Sequence, residues 1–455
     1  MDLSALPPEL MLMVTSYLTH PDLKLFSQTS KFCRSICLPA LFHGVYIDTT
    51  TPAAFAPGGS LYHVRSHVKH ISLDAAQRIA FDGCTQEVER TVDYLRICAE
   101  GLQLFPNLGS LLVIARSLEG KYLDVKELKG IQKQLIWALF STISRCRADG
   151  KGGINGKGVL DGVEELEFTF IDEGGDYDEE ETGKEILKWG VESLSEENKR
   201  FLQLGEAGVR DGVPIQFPRG LRVREAQLNF FTMAKFPCPD YFFNPFWTLQ
   251  GSTETLTKLA LCGEFGTQNE ITAAIGPGGG TAEKPVLFAL PQAVTFPNVR
   301  ELFVTRQYMY PVFFAEISWR CPNVALLKVV VTEHDLCHLS LDAVEEIYVA
   351  LRDMKRLKFF IVPGPNLELE EDLGPEELVA MWERAMEGWV ECGMHELEQT
   401  IFVMRSMEPD EEGSRIGGVS VEVIREYREM MNQVYYRLHF SKIPRMTLDW
   451  FSYQE

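Results

Sequence analysis

Two stretches of this 455-residue chain combine residue types that do chemistry. His334, Cys337 and His338 fall close together, and a helix would put His334 and His338 on one face. Cys321 upstream offers a fourth ligand of the kind zinc accepts. Against a metal, the segment directly follows the strand-like run Val329–Val331, no second ligand pair stands at fixed spacing, and a cysteine is often simply buried. The segment Gly150–Gly158 looks like a phosphate loop around Gly156 and Lys157, but G-x-x-x-x-G-K-[ST] needs Gly at 151 and Ser or Thr at 158. Lys151 and Gly158 stand there instead. The sequence has neither a G-x-S-x-G elbow nor an H-E-x-x-H helix. No catalytic, cofactor-binding or metal-binding residue is assigned, and no cofactor is expected.

The remaining candidates are surfaces for binding. Tyr241, Phe242, Phe243, Phe246 and Trp247 form a dense aromatic run which, with Tyr308, Tyr310 and Trp319, supplies either rigid anchors for a partner or core packing. Lys and Arg total 44 against 65 Asp and Glu, a formal charge of -21, which repels phosphate backbones and anionic lipid. Nucleic acid and membrane are therefore not expected partners, and a client with a basic patch is favoured electrostatically. Ten cysteines sit singly, without a C-x-x-C pair, as reduced thiols of the cytosol or nucleus would. Neither a signal-peptide pattern nor an 18-residue apolar run is present, so a cytoplasmic or nuclear location is expected.

The elements that would present such surfaces begin at the amino terminus. Leu6-Pro7-Pro8-Glu9-Leu10 places proline in a first helical turn and a carboxylate near the positive end of the dipole. Leu10, Val14 and Leu18 then form one stripe, widened by Met11, Met13 and Tyr17 beyond what one small helix can bury. His20-Pro21-Asp22-Leu23 restarts the chain as a second helix, and Ser30 is the expected N-cap of a third, broken at Leu38-Pro39. A unit of about 40 residues cannot stabilise itself without its own chain or a partner.

The order Leu-Pro-x-Glu-Leu, Leu18, Asp22-Leu23, Ser30-Lys31-Phe32-x-Arg34 and Leu41-Phe42 resembles the F-box. Phe42 stands where many members carry Trp. The resemblance implies docking of a Skp-type adaptor, and through it of a cullin-RING ubiquitin ligase. Carried over from the family pattern, the adaptor-facing set is Leu6, Pro7, Glu9, Leu10, Val14, Leu18, Asp22 and Leu23.

Farther on, a unit of the form apolar-x-x-apolar-x-apolar recurs, starting at Val68, Leu108, Val163, Val223, Leu256, Val299, Val324, Met354, Leu397 and Ile443. At 45% apolar content the bare pattern arises by chance on the order of 40 times, so its context has to carry the reading. Three copies share a lead-in, Phe105-Pro106-Asn107, Phe296-Pro297-Asn298 and Cys321-Pro322-Asn323, which is a turn in fixed register ahead of a β-rich run. Helical spacing between strands, as in Val88, Val92, Leu95, Ala99 and Leu102 and in Val344, Ile347 and Leu351, completes βα units. The strand units resemble the core of leucine-rich repeats in an irregular form, although Thr400 occupies a core slot. That resemblance puts Ser72, Glu167, Gln227, Phe303, Lys328 and Lys358 on a concave sheet, with Phe303, Lys328, Lys358 and Tyr308 as the substrate-contact candidates.

The expected fold class is α/β, a small all-helical F-box over 1–47, a linker over 48–66 and an irregular βα leucine-rich-repeat-like solenoid over 67–455, with loops near 150–162, 172–181 and 275–285. The expected function is a non-catalytic substrate receptor of an SCF-type ubiquitin ligase. An adaptor-bound scaffold working outside a ligase, and an enzyme with a dispersed active site in the α/β domain, are the alternatives.

Overall fold

In the computed structural model the described residues are 7–74, 85–116, 138–139, 163–172, 194–206, 222–232, 249, 251–263, 294–306, 311–331, 341–363, 380, 384–385, 388–389, 396–405, 416–428 and 433–443. The chain divides into two compact units, residues 1–226 with 231–252 and residues 227–230 with 253–455.

The first unit opens with three helices, α1 (Pro8–Ser16), α2 (His20–Ser27) and α3 (Lys31–Leu41). Pro8 starts α1, where its missing N–H costs nothing. Ser30 caps α3 as expected, its hydroxyl accepting from the Cys33 amide at 3.0 Å. The expected break at Pro39 does not occur. Pro39 lies inside α3, two residues from its end, and the bond from Phe42 N to Leu38 O at 3.0 Å spans the position.

Strands β1 (Gly44–Ile47), β2 (His70–Asp74), β3 (Ser110–Arg116) and β4 (Glu165–Asp172) then run parallel in chain order. Helix α5 (Thr85–Gly101) crosses between β2 and β3, burying Val92, Leu95 and Ala99 at the expected spacing. The stretch 48–66 is folded rather than a bare linker, with α4 (Thr51–Phe55) and a 3-10 turn (Tyr62–His67) burying Phe55 and Val64. Phe55 meets the Phe105 ring edge-on, centroids 5.0 Å apart. At Gly101 the close of α5 lies so near α4 that a Cβ would stand 2.6 Å from Pro52 Cγ, so only glycine fits. Helix α6 (Glu196–Glu206) is tied to α5 by polar bonds. Glu89 accepts from the Ser195 amide at 3.1 Å and the Asn198 side-chain amide at 2.8 Å, while Arg96 Nε donates to Asn198 Oδ1 at 3.0 Å.

Asp48 holds the turn into α4. One of its oxygens accepts from the Thr50 and Thr51 amides, both at 2.8 Å, and from their hydroxyls at 2.7 and 2.8 Å. Hydrogen bonding from the Thr50 side chain, opposed by partial burial and reinforced by Thr51, lowers this carboxyl from 3.8 to about 2.

β5 (Glu225–Thr232) follows, its leading amides at Arg224 and Glu225 bonded to Glu164 O. The second unit carries β6 (Lys258–Gly263), β7 (Glu301–Arg306), β8 (Leu326–Val331), β9 (Phe359–Pro363) and β10 (Gln399–Arg405), parallel and in order. Helices α7 (Pro311–Arg320) and α8 (Leu341–Leu351) pack together. The sheet then reverses into an antiparallel hairpin, β11 (Ile416–Arg428) and β12 (Gln433–Ile443). The unit expected at Ile443 is corrected by this, because Ile443 is the last residue of β12.

Elsewhere the repeat positions are core. Val68, Leu108, Val163, Val223, Leu256, Val299, Val324 and Leu397 are all buried, as is Thr400 in its apolar slot. The unit expected from Met354 starts instead at Leu357, because Leu326 pairs with Phe359 and Lys328 with Ile361. Each of the three Pro-Asn turns adds a bond that its lead-in motif did not reveal. Asn107 donates to Ser66 O at 2.7 Å, Asn298 to Glu254 O at 2.8 Å and Asn323 to Pro297 O at 2.9 Å, each reaching the carbonyl two residues before the preceding unit's first apolar position. Buried Arg320 staples α7 to the same kind of turn, donating to Glu316 Oε1 at 2.7 Å and Val294 O at 2.6 Å. Trp389, fully buried, donates to Tyr348 O at 2.7 Å and meets the Tyr348 and Phe360 rings edge-on. The expected loops at 150–162 and 275–285, and 173–181 of the third, lie outside the described residues.

Trp389→Ala is expected to cost about 3–5 kcal/mol, and Trp389→Phe, which loses the indole bond, about 1–3 kcal/mol, read as shifts in urea-unfolding free energy. Because the folded Asp48 carboxyl sits below its unfolded value, its contribution is complete above about pH 4 and is lost as pH falls through about 2. The difference in melting temperature between Asp48→Asn and the parent should therefore shrink across that window; a constant difference would refute the role.

Candidate functional site

Helix α1 has two apolar faces, and only one is used by its own chain. Met11 is 0% exposed and Thr15 is buried, both facing the helical core that α2 and α3 complete with Leu23, Ser27, Cys33 and Cys37. Leu10, Met13, Val14 and Tyr17, spaced i, i+3, i+4 and i+7, are exposed, Leu10 by 47%, Val14 by 45% and Tyr17 by 84%. Leu12 on α1 and Leu25 on α2 add to the exposed apolar surface. A contiguous spread of large apolar side chains on so small a unit marks an interaction surface.

The expected adaptor-facing residues separate accordingly. Leu10 and Val14 stand exposed, Leu18 is half-buried, and Pro7 and Glu9 are exposed at the start of α1. Leu6 lies outside the described residues. Asp22 is exposed but does local work, its carboxylate accepting from the Thr19 hydroxyl at 2.6 Å while its amide donates back at 3.5 Å, a reciprocal cap on α2. Leu23 is corrected: at 6% exposure it belongs to the core, since positions 23 and 27 point inward on α2. Leu25, two residues from Leu23 and therefore on another face, is the exposed leucine of α2; helical spacing alone could have separated the two.

A three-helix module with a bare apolar face beside its own filled core is built to dock another protein. The F-box domain family model matches residues 3–41, and the chain is an F-box protein in carrying that module. Its role is accordingly that of an adaptor-binding subunit of the SCF type, the F-box being the part that binds Skp-type adaptors. None of the curated proteins matches the chain.

The residues expected to contact substrate do not form one surface. Ala260, Phe303, Lys328 and Ile361 share one register row, but Lys328 is only 4% exposed and Ile361 is buried, so this row is largely closed. Phe303 is half-buried, with Lys258 Nζ 5.9 Å from its ring centre. Lys358 leaves the row because its unit begins at Leu357; its amide bonds Ala325 O at 2.8 Å and its exposed ammonium lies 4.0 Å from Glu396 and Glu398. Tyr308, Tyr310 and the 241–247 aromatics lie outside the described residues, and Trp319 is exposed. In the first unit the corresponding face is polar, with His70 within 2.9 Å of Ser110 and 3.2 Å of Ser72, and Glu167 half-buried. Gln227 is half-buried and donates to Asn229 at 3.0 Å.

Of the metal candidates, His334, Cys337 and His338 lie outside the described residues, as does the segment 150–158. Cys321 is a fully buried free thiol, and burial pushes its pKa upward. Burial also pushes Cys98 up to about 12, so both behave as inert apolar groups. Among the described residues no helix is long and apolar enough to cross a membrane.

The two faces of α1 separate by mutation. Val14→Asp should leave the melting temperature of the full chain nearly unchanged, whereas Met11→Asp, burying a carboxylate, should destabilise the helical module by several kcal/mol, read as early loss of protease resistance before residue 41. Equal sensitivity at both positions would mean that the outer face is covered.

Proposed function

We propose that this protein is the substrate-recognition subunit of an SCF-type ubiquitin ligase, docking the Skp-type adaptor through α1 and α2 and holding a client on the α/β body. The observation that carries this is the bare face of Leu10, Met13, Val14 and Tyr17 next to buried Met11 and Thr15. With Pro7, Glu9, Leu18 and Leu25 it forms an amphipathic helix surface suited to a partner's hydrophobic groove. Asp22 assists by holding the start of α2. Leu6 completes the set from the sequence resemblance alone.

Such a subunit needs no reacting group of its own. Holding a client near a transferring thioester raises the local concentration of its lysines, an entropic contribution to rate. The acidic balance of the chain suits a client with a basic patch.

Co-expression of the full chain with the adaptor, followed by size-exclusion chromatography, tests docking. The parent should co-elute, and Met13→Asp with Val14→Asp should lose co-elution while keeping the parent's circular dichroism. Unchanged co-elution would move the interface off α1. Recovery of adaptor without cullin from cells would support the scaffold role instead.

A further inference from the structure

The acid excess of this chain is unevenly spread. Between Leu23 and Leu73 the only acid is Asp48, against five Lys and Arg and four of the nine histidines, in a protein of net charge -21. Asp48 lies past the end of β1, its carboxylate committed to the turn into α4. The start of that strand is left among bases.

Part of this base gathers on one rim of the first unit, where its strands begin. Backbone bonds from Lys69 N to His43 O, Gly109 N to Lys69 O, Glu164 N to Gly109 O and Arg224 N to Glu164 O set five residues in one row across β1 to β5. His43, Lys69, Glu164 and Arg224 of that row are exposed. Two residues before Lys69 and Arg224, across the buried Val68 and Val223, stand half-buried His67 and exposed Arg222. The one acid of the row, Glu164, lies 3.7 Å from Arg224. The Lys69 ammonium and the Arg222 guanidinium make no hydrogen bond or ion pair among the described residues. In the second unit the bases of the matching row are engaged, Arg300 with Asn323 O at 2.9 Å and Lys358 at 4.0 Å from Glu396 and Glu398.

We propose that this rim takes an extended acidic segment of the client, laid across the strand starts with one carboxylate at Lys69 and another at Arg222. Three strand spacings separate β2 from β5, roughly 14 Å, which an extended chain covers in about four residues, so the fitting segment carries acids at i and i+4. Side chains at i and i+4 of an extended chain leave on the same face, as contact with one rim requires. A short protein segment reaches the rim without laying a long anionic backbone against the acidic remainder of the chain, as a nucleic acid would. This rests on the substrate-receptor reading and narrows it, since the chain as a whole favours a basic client and this rim the opposite charge.

The test uses fluorescein-labelled Ser/Thr peptides of about ten residues with the full chain, with and without adaptor. A peptide carrying two Glu at i and i+4 should bind about tenfold more tightly than its Lys counterpart, the scale expected when two exposed charge pairs are gained rather than opposed. Raising salt from about 50 to about 500 mM should weaken the Glu peptide, because the attraction at exposed groups is screened. Lys69→Gln with Arg222→Gln should remove the preference while circular dichroism and adaptor co-elution stay as in the parent. Equal binding of the two peptides, binding of the Glu peptide that strengthens with salt, or tighter binding of a single-stranded oligonucleotide of similar length would overturn the proposal. So would self-association of the chain that the double substitution disperses. Loss of adaptor co-elution by the parent, with peptide selectivity intact, would instead count against the docking reading alone.

Discussion

One backbone rung sets the rest of this structure. In eight strand units the carbonyl one residue past the first apolar position accepts two successive amides of the next unit. His43 O takes Lys69 and His70, Lys69 O takes Gly109 and Ser110, Gly109 O takes Glu164 and Glu165, and Glu164 O takes Arg224 and Glu225. In the second unit the same role falls to Thr257, Arg300, Ala325 and Lys358. A strand slipped by one residue would break this rung and turn its core side chains to the other face. The rung therefore keeps Ile71, Leu111 and Leu166 in one row and Leu259, Leu302 and Leu327 in another, despite very unequal spacings along the chain.

The same geometry explains how the F-box joins the sheet. Phe42, immediately after the residues matched by the family model, precedes the first rung acceptor, and Phe42, Val45 and Ile47 follow the repeat spacing. The aromatic at this position thus ends α3 and begins the sheet, with β1 pairing to β2 from Gly44 onward. The amino-terminal helices need not be stable alone, because their last turn is continuous with a strand already held in a ladder and α3 packs on the 3-10 turn beyond it. That support leaves α1 free to keep a second apolar face uncovered.

Beyond the rungs, the two units differ on the face away from the helices. In the first, His70, Ser72, Ser110 and Glu167 make it polar. In the second, Lys328, Val330, Ile361 and Ile401 are buried there. Strand alternation states that a residue faces away from the helix layer, but it does not state what, if anything, lies on that side, which is why Lys328, expected on an open face, is buried.

Much of the fold was legible in the residues. Pro8 and Ser30 marked helix starts because local geometry rewards them wherever the chain goes, and the apolar positions from Val68 to Leu397 marked strands because each must bury the same face. The Leu357 start and the β11–β12 tongue were missed, although Val434, Tyr436, Leu438 and Phe440 alternate visibly, because an offset of three residues or a reversal of strand direction leaves local patterns unchanged. By itself the sequence determined the module at the amino terminus, the βα repetition and the absence of a local catalytic signature, all consequences of short-range spacing. Tertiary structure alone decided which apolar side chains stay bare, separating Leu10 and Val14 from Met11 and Leu25 from Leu23, since exposure depends on which neighbours arrive from elsewhere in the chain.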